Sequence, residues 1–168
     1  VQTAVVSALS MVNAWYIPLP PWEQIDQELN AKGIRMAGAD EARHLVRQAL
    51  RLRERLIPYL YTAFARYAFD GIPPVRPVFL EAPHDRRAWE CEEEFLLGPS
   101  LLVAPMLAGF HERAVYLPEG DWQEWESSKT HRGGRVIHLT DVPLSTLPIF
   151  VRSGSLLPLL AEPGTRRE

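Results

Sequence analysis

The rhythm of apolar residues changes at Gly71, and this constrains the fold more than any other feature. Before it, in DEARHLVRQALRLRERLIPYLYTAFARYAFD (residues 40–70), Leu45, Ala49, Leu52, Leu56, Leu60 and Ala63 recur at three- and four-residue spacing. That period builds one apolar face of an α-helix, with Arg43, Arg47, Arg51 and Glu54 largely off it. Asp40 is placed to cap the first turn, with Glu41 just inside it, where a negative charge suits the helix dipole. Pro58 has no N–H to offer the Glu54 carbonyl, so a kink or break is predicted there. Gly71 followed by Pro73-Pro74 ends the helix.

Beyond Gly71 the runs are short and β-prone: VRPVFL, SLLVAP, RAVYLP, DWQEW, RVIHL, PLSTLPIFV and SLLPLL. They are separated by turn chemistry in PEGD, HRGG and RSGS, a spacing that predicts an antiparallel sheet or small sandwich. FLLGPSLLVAP (95–105) is the most apolar of these stretches. Gly98-Pro99 and Ala104-Pro105 are expected to delimit a strand buried on both faces, because proline cannot donate within a ladder. Helix first and strands after divide the chain into two structural units, with a boundary near residues 71–94. Upstream, residues 1–14 are mostly apolar, and YIPLPPWEQ (16–24) places Pro18, Pro20 and Pro21 where only an extended loop fits.

Composition removes several function classes. At 168 residues and 46% apolar content the chain can bury an ordinary core. A net charge of −3 argues against a nucleic-acid surface. No apolar run approaches the ~20 residues needed to span a bilayer, so no membrane partner is expected. The first residues, VQTAVVSALSMV, have neither an initiator Met nor a basic leader, and read as chain cut from something longer.

No catalytic centre is visible from chemistry alone. Glu90, Glu92, Glu93 and Glu94 form the densest acidic group and read as a solvated lead-in to the strand at 95. Glu23 and Asp26 lie beside Trp22 in the proline loop, a setting in which function is common. His44, His84, His111, His131 and His138 lack zinc-ligand spacing, so no metal is expected. Cys91 has no motif around it and reads as an idle thiol. The serine elbow G-x-S-x-G is absent.

Taken in order, RERLIPYLY (53–61), GIPPVRPVFLEAPHD (71–85), EFLLGPSLLVAPM (94–106), RAVYLPEGDWQEW (113–125) and PLSTLPIFVRSGSLLPL (143–159) resemble the C-terminal end of glycoside hydrolase family 31, the α-glucosidase and α-xylosidase family. The resemblance implies an α+β piece of a larger enzyme. Residues 1–72 would be the last strand, loop and helix of a catalytic (β/α)₈ barrel, and residues 73–168 an antiparallel β-sandwich packed against it. It also implies retaining hydrolysis by an aspartate nucleophile and an aspartate acid/base on earlier barrel strands. The family's nucleophile motif, W-x-D-x-N-E, has no match here. Both aspartates are therefore expected upstream of Val1, and this chain alone is expected to be inactive. No cofactor is implied.

Many members carry R-x-H or R-N-H after the last barrel strand, and its histidine bonds the sugar. The corresponding segment here is MVNAW (11–15), with Val12 and Ala14 at those positions. Asn13, by hydrogen bonding, and Trp15, by stacking, are the local candidates to replace them, and Trp22 joins them as a candidate sugar contact. The expected partners are an α-linked oligosaccharide or glycoside and the preceding part of the barrel; an oligomer is compatible with this reading. The rival reading is a non-enzymatic carbohydrate-binding sandwich using Trp122 and Trp125 as a platform. Their spacing of three places them on opposite sides of one strand, which weakens a shared flat surface.

Overall fold

The computed structural model describes residues 39–106, 110–143 and 145–161. The chain divides between Arg55 and Leu56 into two compact units. Of the first, the described part is helix α1, Ala39–Arg55. Its start at Ala39 puts Asp40 inside the first turn and not before it as a cap. Val46 and Ala49 are buried, whereas Arg47 and Arg51 are exposed, as the apolar period requires.

The second unit opens with helix α2, Ile57–Asp70. The predicted break therefore falls at Leu56. Pro58 sits in the first turn of α2, where an N–H would have no intrahelical partner. The helix ends where the Gly71 N–H caps the Tyr67 carbonyl at 3.0 Å. Tyr59 and Ala63 form its buried side, and Leu56, just before it, is buried too.

Eight strands follow: β1 (Val75–Pro77), β2 (Phe95–Leu97), β3 (Leu101–Val103), β4 (Arg113–Leu117), β5 (Asp121–Glu124), β6 (Thr130–Arg132), β7 (Arg135–Leu139) and β8 (Ile149–Arg152). Six form one antiparallel sheet in the order β1-β2-β3-β8-β5-β6, and β4 pairs with β7 in a second. The core cluster draws Leu96, Leu102, Trp122 and Phe150 from the larger sheet and Val115, Leu117 and Ile137 from the smaller. The two sheets thus bury their inner faces against each other, a sandwich. Val78 and Ala88, from the connection between β1 and β2, complete that core.

FLLGPSLLVAP folds as a hairpin. Phe95 pairs with Val103 and Leu97 with Leu101 across the Gly98-Pro99 turn. β3 is buried along its whole length, as its flanking prolines predict. This turn also holds α2 in place. The Tyr59 hydroxyl donates to the Leu97 carbonyl at 2.7 Å and accepts from the Ser100 N–H at 2.9 Å. Burial pushes the Tyr59 hydroxyl above the usual tyrosine range, so it stays protonated and can fill both roles. Gly98, at φ +60°, is the residue that makes room: a Cβ there would lie 2.4 Å from the Tyr59 Oη.

Three details depart from the sequence reading. Val78–Leu80 is a 3₁₀ turn, not strand; Val78 dips into the core while Phe79 stacks flat on Trp89, centroids 4.4 Å apart. His131 and Arg132, read as the start of the HRGG turn, belong to β6, because His131 is buried through a bond to Glu124 and an edge-on contact with Phe150. SLLPLL joins no sheet. Pro158 cannot donate to a ladder, and Leu156 is almost fully exposed.

Candidate functional site

The sugar-contact candidates Asn13, Trp15 and Trp22, with Glu23 and Asp26, lie outside the described residues. So does Val1, the point upstream of which the nucleophile and acid/base are expected. Among the described residues, three carboxylates have environments that move them from ordinary behaviour, and each already has bonding partners.

Asp85 caps the short helix α3 (Arg86–Trp89), accepting from the Arg87 N–H at 3.0 Å. It also accepts from the Arg87 guanidinium at 2.9 Å and from the Tyr116 hydroxyl at 2.6 Å. The Arg87 guanidinium and then the Tyr116 hydroxyl hold its carboxyl down at about 2. A carboxyl so acidic is a permanent anion, unsuited to giving up a proton near neutrality.

Glu94 is the opposite case. Glu90, Glu92 and Glu93 are exposed as expected, but Glu94 is buried, which corrects its reading as part of a solvated lead-in. It accepts the Tyr116 N–H at 2.9 Å and lies 3.4 Å from the Arg113 guanidinium, itself only 9% exposed. Burial pushes its carboxyl up, against bonds from Cys91, Tyr116 and Arg113 that pull it back. Arg113 also donates to the Pro105 carbonyl, tying the end of the β3 segment to β4. Cys91 donates to the Arg87 carbonyl, and burial, then Glu94, pushes its thiol up to about 12. It is not poised to act as a nucleophile.

Glu124 closes β5. Its carboxylate accepts from the Ser127 hydroxyl and lies 2.6 Å from the His131 ring. Burial would push it up, but the bonds from Ser127 and His131 outweigh that and hold it below the usual carboxylate range. All three carboxylates are structural ties: each shapes a turn or a strand junction.

The tryptophan pair does not form a platform. Trp122 is fully buried, its indole N–H donating to the Pro118 carbonyl at 2.8 Å under the Arg152 guanidinium, 4.8 Å from the ring. Arg152 is held by Glu81 at 2.9 Å, which also holds Arg76 at 3.0 Å. Trp125, just past the end of β5, is half-buried and lines an open groove of about 440 Å³. Glu126, Lys129, His138 and Asp141 share that groove, and Phe150 forms part of its lining. Sequence reasoning missed it, because its two walls are joined only by the fold; the visible signal was a tryptophan at a strand end followed by the polar turn ESSK.

Residues 71–157 match the glycosyl hydrolase family 31 C-terminal domain. The chain belongs to glycosyl hydrolase family 31. It is 36% identical over 124 residues to alpha-glucosidase 2 of Bacillus thermoamyloliquefaciens, a match covering 73% of this chain and 16% of that protein. It is 34% identical to an alpha-xylosidase of Saccharolobus solfataricus, covering 73% of this chain and 17% of that one. Among solved structures, the family 31 dextranase of Flavobacterium johnsoniae, complexed with isomaltotriose, superposes with a TM-score of 0.66 at 35% identity. That alignment covers 79% of this chain and 16% of the dextranase. The chain thus spans less than a fifth of the length of these relatives. The antiparallel domain described above is the part of the family that it matches.

Proposed function

We propose that this chain is the C-terminal portion of a retaining α-glycosidase that hydrolyses O-glycosidic bonds in α-linked oligosaccharides or glycosides. The observation that carries the reading is the family 31 C-terminal domain match over residues 71–157, joined to relatives that are glucosidases and xylosidases. In this reading residues 1–72 are the last elements of a (β/α)₈ barrel, and residues 73–168 buttress it as a β-sandwich. Asn13, Trp15 and Trp22 line the sugar pocket from the barrel side.

The reaction needs two carboxyl groups about 5–5.5 Å apart. One attacks the anomeric carbon as the other protonates the departing oxygen. Water, deprotonated by that second group, then releases the sugar with its original anomeric configuration. Asp85, Glu94 and Glu124 are committed to structural bonds. In this reading the reacting pair therefore belongs to barrel residues upstream of Val1 in the longer protein.

The test is hydrolysis of 4-nitrophenyl α-glucoside and α-xyloside by the longer protein and by the 168-residue chain. Turnover by the longer protein and none by the chain is expected. Comparable turnover by the chain alone would overturn the reading.

A further inference from the structure

We propose that the groove beside Trp125 binds a neutral saccharide, with the indole as stacking surface and Glu126, Lys129, His138 and Asp141 as the polar rim. The choice of a glucan-type ligand rests on the glycosidase reading; the groove itself is argued from its construction. Its volume, about 440 Å³, is within the range of small-ligand sites. Its chemistry is mixed in the way a sugar ring is mixed. A pyranose presents a face of C–H groups, which an indole can cover, and a rim of hydroxyls that donate and accept. Lys129 donates, Glu126 and Asp141 accept, and the His138 ring can do either according to its tautomer. Three carboxylates, Glu124, Glu126 and Asp141, against one lysine disfavour an anionic ligand, and the indole face beside a donor-and-acceptor rim suits an uncharged polyhydroxylated one.

Both walls are fixed before any ligand arrives. Among the described residues, Ser128 (φ 59°) and Asp141 (φ 54°) are the two non-glycine residues with left-handed backbone; Asp141 lines the groove, and Ser128 sits between the lining residues Ser127 and Lys129. For serine such a conformation persists only where the surroundings enforce it, whereas aspartate adopts it more readily. The first wall is enforced by the Ser128 N–H on the Glu124 carbonyl at 3.0 Å and by the Lys129 N–H on the Ser127 hydroxyl at 3.2 Å. Glu124 is itself anchored by His131. In the second wall, the Val142 N–H donates to the His111 carbonyl at 2.9 Å. A groove with both rims held in place loses little freedom on binding, and weak hydroxyl contacts then suffice.

The test is a titration of the chain with isomaltotriose, followed through the tryptophan indole N–H resonances. The Trp125 signal is expected to move and saturate. Binding, read for the variants by calorimetry, should weaken at least about tenfold in Trp125→Ala and in the surface double variant Lys129→Ala/Asp141→Asn, and persist in Trp89→Phe. The double variant alters exposed side chains only, and an unchanged urea midpoint separates its loss of binding from a folding failure. A flat titration, or undiminished binding in both groove variants, would overturn the proposal. If the titration is flat while the longer protein still cleaves a nitrophenyl α-glycoside, the groove proposal falls and the glycosidase reading stands.

Discussion

Under α2, one phenol serves two backbone groups: the Tyr59 hydroxyl donates to the Leu97 carbonyl and accepts from the Ser100 N–H. Around Trp125 the side chains of Lys129, His138 and Asp141 instead line open space. The first region uses its polar atoms to close a junction between helix and hairpin, so their loss is felt in stability. The second holds its backbone rigid and leaves its side chains at the surface. Substitutions there should leave folding almost untouched.

The largest effect should come from the closed type of region. Glu94→Ala strips the carboxylate from beside Arg113, a guanidinium only 9% exposed. It should cost about 3 kcal/mol or more, read as a drop in the urea midpoint at unchanged slope. Gly98→Ala follows at ~3 kcal/mol, since it combines a left-handed φ with a Cβ 2.4 Å from the Tyr59 Oη. Removing that hydroxyl as well, in Tyr59→Phe/Gly98→Ala, should recover only part of the loss, because the ring Cζ, 2.8 Å from the added Cβ, remains. Tyr59→Phe alone should cost about 2 kcal/mol, the penalty of leaving a buried carbonyl and N–H unpaired.

Smaller still is the acid response of Asp85. Its carboxyl is held at about 2 in the fold, against 3.8 without partners. The depressed value means that its contribution is complete above pH ~4 and is lost as pH falls from there toward 2. Asp85→Asn should flatten the stability decline in that window, measured as urea midpoints at successive pH values. Glu94 opposes it in sign. Its raised carboxyl favours the protonated form in the fold, so its contribution is present at low pH and fades as pH rises through the folded value. Smallest of all, Lys129→Ala/Asp141→Asn should shift the midpoint by no more than ~0.5 kcal/mol equivalent; a large loss would place the groove in the closed class.

The sequence was most informative where one segment determined its own fate. The α2 termination at Gly71 and the double burial of Leu101–Val103 could be read from proline, glycine and apolar period, since local backbone limits decide them. Burial of polar residues could not be read that way. Glu94 and His131 look like surface residues until Arg113 and Glu124, from other strands, are brought beside them. The groove is a stronger instance, since Trp125 and Asp141 meet only after β5 and β7 find their places in different sheets. Pairing across sheets leaves no periodic trace along the chain.

The strand order has a consequence for biosynthesis. β8 is the last strand in chain order among the described residues, yet it lies between β3 and β5 in the middle of the larger sheet. Until Ile149–Arg152 has left the ribosome, β1-β2-β3 and β5-β6 are two separate ribbons with bare edges facing a gap. A chain ending at residue 148 should therefore remain open to protease, and one that extends through Ile149–Arg152 should resist it.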